Sequence, residues 1–393
     1  MANYTILAGM VPQQVRPLPP FSPLVTDFLQ ALSKELQTLA LTHTDMTWAA
    51  LGFWLRRTHI NQMAQEVSHL GGRLGRGLVF HIAPTNMPAM FAYSLAISML
   101  AGNGNIVRIS PRQAASVQPF CDCIEKVWSR NEFSSLRSMN ALITYDHDKN
   151  TTDALTAHCD GRIIWGGNES IAQIRQSILP PQAVELVFAD RYSCTVIDSA
   201  AVLSYSDEEL NHQAHLFYND TYETDQNACS SPHMIFWLGS SKDLTEKAQQ
   251  RWWHAVARES AAYALQPIKV STKYTDVWEF AMTCPQIDTI EHIKNTVYIY
   301  TLSSLPEDIT TLSGAFGQFF QYSIAALDEI MPYMDKKIQT ISVLGIHPAI
   351  IRQLLLAHCV MGVDRIVPVG QAMDMSILWD GMNMIESLSR IIG

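Results

Sequence analysis

Of the seven cysteines in the 393-residue chain, one differs from the rest by its surroundings. Cys229 lies in Asp225-Gln226-Asn227-Ala228-Cys229-Ser230-Ser231-Pro232, a run of polar and small residues between a predicted helix and a predicted strand. A thiol in such a loop can be approached and need not pack, as a nucleophilic cysteine requires. Cys159, Cys194, Cys284 and Cys359 stand among apolar or strand-forming neighbours and read as small buried hydrophobes. Cys121 and Cys123 form a close pair in a helical stretch without neighbouring ligands, so no metal site is expected. The odd count and irregular spacing argue for reduced thiols rather than a disulfide framework.

A nucleophile that attacks a carbonyl needs donors aimed at the developing oxyanion. Asn86, in Ala83-Pro84-Thr85-Asn86-Met87-Pro88, is an uncharged amide between two prolines, after a strand and before a helix; the competing reading is a helix cap. Ile163-Ile164-Trp165-Gly166-Gly167-Asn168-Glu169-Ser170 offers a strand, two glycines and a helix start, an arrangement that turns backbone amides toward a pyrophosphate. Asn105-Ile106-Val107-Arg108-Ile109-Ser110-Pro111-Arg112 ends a strand in two cations and a hydroxyl, suited to phosphate contact or to surface ion pairing. Glu185, inside the apolar Val184-Glu185-Leu186-Val187, reads as a buried carboxylate of raised pKa, fit for proton transfer, or as an edge-strand charge facing water. His212, His215 and His233 are candidate bases for Cys229, although His212 and His215 share a helical face and read more simply as surface histidines.

The elements that position these residues follow from periodicity. From Phe21 to about Glu66 apolar residues recur at helical steps, with Asp45 as the N-cap of a second helix. Strand signals at 78–83, 105–109, 141–145, 162–165 and 184–189 alternate with helical runs at 87–100, 112–128, 153–158 and 170–178. That alternation is the signature of a parallel sheet covered on both faces. A second α/β unit begins near Ser193, with strands near 194–197, 233–238 and 297–301 and helices over 207–218 and 241–263.

Composition narrows the class. Hydrophobic residues are 48% and charged residues 16% of the chain, which excludes a disordered or coiled-coil protein. A net charge of -10 is opposite in sign to a nucleic-acid-binding surface, and no nucleic acid partner is expected. The longest apolar run, Pro88 to Leu100, is too short to span a bilayer, and no basic secretion signal opens the chain, so the cytoplasm is the expected address.

In this order the motifs resemble the aldehyde dehydrogenase superfamily, and within it the fatty acyl-CoA reductases of the bacterial luciferase operon, the LuxC family. The resemblance rests on Pro84-Thr85-Asn86-Met87-Pro88, Gly104 to Ser110, Trp165-Gly166-Gly167-Asn168, Val184-Glu185-Leu186, Asp225 to Pro232, and Gly362 to Gly370 with Trp379-Asp380-Gly381. It implies an α/β, aldehyde dehydrogenase-like fold: a Rossmann-type cofactor domain over 1–190, with a tail at 362–393 packing back on it, and an α/β catalytic domain over 191–361. It makes Cys229 the nucleophile and acyl carrier, Asn86 with the Cys229 amide the oxyanion hole, and Glu185 the match of the superfamily's general base. Thr85, Arg108, Ser110, Gly166 and Gly167 become cofactor contacts. NADPH is the expected cofactor, because Arg108 stands where the superfamily has a ribose-contacting lysine. An acyl thioester substrate, an acyl-protein synthetase partner and a homo-oligomer are implied in the same way. Two departures are visible: Leu186-Val187 replaces the usual Leu-Gly after the glutamate, and Ala228 precedes the cysteine. The chain before His81 leaves little room for a long oligomerisation arm. The alternatives are a Cys-His acyltransferase or thioesterase, in which a second nucleophile resolves the acyl-enzyme, and a scaffold homologue without activity.

Overall fold

In the computed structural model, which describes residues 3–42, 46–84 and 89–393, the chain divides into Met1–Asp190 with Met375–Gly393, and Arg191–Asp374. The first unit holds β1 (Thr5–Gly9), β2 (Arg73–Gly75), β3 (Leu78–Ile82), β4 (Gly104–Ile109), β5 (Asn140–Thr144), β6 (Gly161–Trp165) and β7 (Val184–Phe188). Its six-stranded sheet runs β1-β5-β4-β3-β6-β7, parallel except for β1, which pairs antiparallel with β5. Successive strands go to one side of β3 and then to the other, so the order reverses at the β3–β6 pair, the place where such sheets open a crevice at their strand ends.

Every residue of the helix Met90–Leu100 is buried, which is why that run shows no polar face. Gly102, at φ 93, follows it; a Cβ there would lie 1.9 Å from the Leu18 carbonyl oxygen, so only glycine fits. The continuous helix expected over 112–128 is two, Pro111–Ala114 and Gln118–Trp128. Pro119 is the physical reason, since proline fits the first turn of a new helix but not the interior of a long one. The expected cap Asp45 lies outside the described residues; helices Pro23–Thr42 and Met46–Trp54 flank it.

The second unit holds β8 (Tyr192–Asp198), β9 (Pro232–Leu238), β10 (Ile287–Ile293), β11 (Val297–Leu302), β12 (Gln318–Ile324), β13 (Ile338–Leu344) and β14 (Arg365–Pro368). They form one sheet in the order β10-β11-β12-β9-β8-β13-β14, in which only the β10–β11 pair is antiparallel. One core gathers Phe217, Trp237, Trp252, Trp253 and Phe319, the other Met234, Phe236, Tyr300 and Phe320. The helix Asp207–Thr221 opens on a capping box between Ser206 and Glu209.

The tail expected to leave this unit at 362 leaves it later. Residues 365–368 pair with β13, and Val369 N–H donates to the Val343 carbonyl, so the stretch to Asp374 belongs to the second unit. The last residues carry β15 (Leu378–Trp379), β16 (Met382–Asn383) and β17 (Ser389–Ile391), and β17 pairs with β2.

Candidate active site

In the second unit, Cys229 sits half-buried in the turn that leads into β9. Its carbonyl oxygen accepts from Ser193 Oγ at 2.6 Å, and Ser193 Oγ in turn accepts from the Thr340 N–H at 3.3 Å. Ser231 Oγ donates to the Asp220 carbonyl at 2.9 Å, and Ser230 Oγ lies 3.6 Å from Met373 Sδ. The loop is therefore held at the cysteine and at the two residues after it. Burial pushes the thiols of Cys121, Cys159 and Cys194 up to about 12, which keeps them protonated near neutrality and inert. Cys359 corrects the expectation of burial: it is exposed, at φ 51, just after the helix Pro348–Ala357 ends.

The histidines take separate places. His212 is exposed, and His215 Nδ1 lies 3.3 Å from Glu259. His233 is buried, stacked on Tyr192 with ring centroids 5.3 Å apart, and burial lowers its pKa to about 4 against an opposing backbone hydrogen bond at Gly314. Asp220, also buried, accepts from Gly370 N–H at 2.6 Å and Ala372 N–H at 2.9 Å; burial outweighs these bonds and raises it to about 7.

In the first unit, Arg108 is the penultimate residue of β4, with 8% of its surface exposed. One Nη donates to the Tyr145 carbonyl at 3.2 Å, the guanidinium lies 5.1 Å from the Tyr145 ring, and Nε has no partner among the described residues. Burial lowers its pKa, while Tyr145 and Asp146 act the other way. No carboxylate pairs with it among the described residues, so the surface ion pair considered from sequence is not what forms. A buried guanidinium donor left unsatisfied among the described residues suits an anionic or hydroxyl acceptor.

Gly166 and Gly167 follow β6, with Gly167 at the N-cap of the helix Asn168–Ile174. Among the described residues a Cβ on Gly167 would meet nothing within 4 Å, so their packing does not require glycine there, and its absence of a side chain suits a ligand that comes close to the backbone. Ser110 is buried at the start of Pro111–Ala114 and makes no side-chain cap. Behind the turn, Trp165 Nε1 donates to Ser94 Oγ at 3.1 Å, and His81 joins Ser94 at 2.8 Å and Asn105 Oδ1 at 2.9 Å. Thr85 and Asn86 lie outside the described residues.

Glu185 overturns the expectation of a raised pKa. Its Oε2 accepts from Arg162 at 3.0 and 2.5 Å and its Oε1 from Arg175 at 2.7 Å. Burial alone would raise the carboxyl, but the two guanidinium groups outweigh it and hold the group below its ordinary value. As positioned, it is an ion-paired strand residue. Ser193, Gln226 and Asp220 carry contacts around the Cys229 loop that no role assigned from sequence anticipated; Gln226 lies inside the Asp225 to Pro232 motif, while the other two have no local signal.

The family model for "Acyl-CoA reductase (LuxC)" matches residues 53–391. A long-chain acyl-protein thioester reductase of Aliivibrio fischeri is 21% identical over 300 residues, covering 75% of this chain and 58% of that protein's length. Among solved structures, aldehyde dehydrogenase 21 from Physcomitrella patens superposes with a TM-score of 0.66 at 10% identity, over 93% of this chain and 84% of that one. Lactaldehyde dehydrogenase from Escherichia coli gives 0.65 at 11%, over 94% and 86%. The fold is that of the aldehyde dehydrogenases, and the match over most of its length places the chain in the LuxC family of acyl-CoA reductases.

Proposed function

We propose that this protein reduces an acyl thioester to the aldehyde, with the acyl group carried on Cys229 and NADPH as the preferred reductant. The observation that carries the reading is the placement of Cys229: half-buried in the family's motif loop, with its own carbonyl anchored by Ser193, where three other thiols are buried and pushed up to about 12. The substrate class comes from the Aliivibrio fischeri relative, whose name is that of an acyl-protein thioester reductase.

In this reading the Cys229 thiolate attacks the thioester carbonyl. The new S–C bond forms, the donor's C–S bond breaks, and the departing thiolate takes up a proton. Asn86 and the Cys229 N–H donate to the oxyanion, an interaction stronger in the transition state than in the ground state. When bound, the reduced nicotinamide supplies the hydride that takes the acyl group to the aldehyde level. Release of aldehyde then returns the Cys229 thiolate. None of these steps needs a base to activate water, which agrees with a Glu185 occupied by two arginines.

Residues 1–190 with 375–393 are assigned to cofactor binding, through Thr85, Arg108, Ser110, Gly166 and Gly167, and residues 191–374 to the nucleophile. The Nε of Arg108, without a partner among the described residues, supports the preference for a ribose 2′-phosphate, which accepts charge-assisted bonds about twice as strong as neutral ones. An acyl-protein synthetase as partner and a homo-oligomeric assembly belong to the same proposal.

The test follows nicotinamide absorbance with acyl-CoA esters from short to long, using NADPH and NADH, in wild type and Arg108→Ala. Thioester-dependent oxidation of NADPH is expected, with kcat/KM for NADPH falling by roughly tenfold or more in the variant and that for NADH much less. Thioester cleavage without nicotinamide oxidation would make the protein a hydrolase or acyltransferase. Equal losses with both cofactors would reject the 2′-phosphate contact.

A further inference from the structure

Four and three residues before the cysteine, the backbone does something unusual. Asp225 and Gln226 have φ 56 and 59, two consecutive non-glycine residues in the left-handed region. Such residues persist only where their surroundings over-determine them. Here they do. Asp225 accepts from Lys269 Nζ at 2.7 Å and from the Tyr263 hydroxyl, and its carbonyl accepts from Phe316 N–H at 3.2 Å.

Gln226, 2% exposed, uses its whole amide. Oε1 accepts from the N–H groups of Gly317 at 2.7 Å and Gln318 at 3.0 Å; Nε2 donates to the carbonyls of Pro232 at 3.2 Å and Gln318 at 3.1 Å. Two acceptor and two donor directions are all the side chain has. They bind the first residues of β9 and β12, so the side chain joins the start of the strand that follows Cys229 to the neighbouring strand. The facing turn is held in a matching way. Phe316 and Gly317 have φ 59 and 85, and buried Lys273 donates through Nζ to the Phe316 and Asn295 carbonyls, each at 2.8 Å.

We infer that Gln226 is a positioning residue for the reaction: by fixing two left-handed turns against each other it sets the loop that carries the Cys229 thiol and N–H. Resting on the assignment of Cys229 as nucleophile, the inference deepens that reading by naming what orients it. Positioning is sensitive, since a displacement of about 1 Å in a reacting group can cost around 10²-fold in rate.

The full chain, without nicotinamide, is mixed with dodecanoyl-CoA, and single-turnover acylation is followed by intact and peptide mass spectrometry, per folded molecule, in wild type, Gln226→Met, Lys273→Met and Cys229→Ala. Gln226→Met should acylate roughly 10- to 100-fold more slowly at saturating donor, with the donor concentration for half-maximal rate changed by less than about threefold. Lys273→Met, which loosens the facing turn and leaves Gln226 in place, should slow acylation in the same direction by about threefold or more. Acylation of Cys229 in Gln226→Met within about twofold of wild type, alongside a lowered Tm, would reduce Gln226 to a structural role. Should Gln226→Met not fold, an unchanged rate in Lys273→Met overturns the inference. Acyl mass on another cysteine in wild type refutes the nucleophile assignment itself, and this inference with it.

Discussion

Glu185 has both oxygens engaged by guanidinium groups, and Arg162, the deeper of the two partners, also donates to the Ser177 carbonyl at 2.8 Å. The carboxylate therefore neutralises a buried cation before it can do anything else. Replacing it by Gln leaves Arg162, with 3% of its side chain exposed, without a counter-charge. Breaking a fully buried pair costs about 3–5 kcal/mol; because Glu185 keeps 18% of its side chain in solvent, a loss of about 2 kcal/mol is the expectation for Glu185→Gln. Denaturant unfolding reads that number, and acyl transfer to Cys229 in the same variant should stay within about twofold of wild type. Failure to acylate with the fold intact would place Glu185 in activation of the thiol. At this scale the turn position of Cys229 was legible, since its polar, small-residue setting is local in sequence. The behaviour of Glu185 was not, because its partners lie 23 and 10 positions away.

Between elements, the buried network behind β6 decides protonation by elimination. Asn105 Nδ2 donates to Asn140 Oδ1 at 2.7 Å and to the Asn103 carbonyl at 3.1 Å, so Asn105 Oδ1 is the acceptor and His81 Nε2 the donor. His81 Nδ1 then accepts from Ser94, which itself accepts from Trp165 just before the glycine turn. A second proton has no place, and burial takes His81 from 6.5 to about 4, as it does His233. Both pKa values are depressed on folding. Stability present above pH 6.5 is therefore lost as pH falls toward 4, by up to about 1.4 kcal/mol per pH unit for each histidine. Asp220, raised from 3.8 to about 7, takes up its proton in the folded state and opposes one of them in that window. The unfolding free energy of His81→Gln should fall less steeply than wild type between pH 6.5 and 5, by about one proton; parallel slopes would contradict the buried neutral histidine. Periodicity served some elements and misled elsewhere. The helix Pro267–Thr283 escaped it because its pattern is inverted, with Lys273 and Asp276 turned to polar partners while Tyr274, Trp278 and Met282 are exposed.

Across the whole chain, the alternation from 78 to 188 is legible because buried parallel strands read as apolar runs between helices. The end of the second unit is not. Arg365-Ile366-Val367-Pro368 looks like the start of a tail, yet a strand of four residues pairs with β13 and keeps it in the sheet. Among the described residues no helix is long and apolar enough to cross a membrane. The resemblance carried by six short motifs and the family match over 53–391 concern the same stretch of chain, which is why a reaction can be proposed at 21% identity to a reductase of known name. In the proposed mechanism the first covalent bond forms at one atom, Cys229 Sγ. The most direct measurement incubates the full chain with an acyl thioester in the absence of nicotinamide, locates the added mass by peptide mass spectrometry, and then adds NADPH. Acyl mass on Cys229, its discharge as aldehyde when NADPH is added, and no reductase activity in Cys229→Ala are the expected results; acyl mass on another cysteine, or a Cys229→Ala variant that still reduces the thioester, would contradict the proposed mechanism.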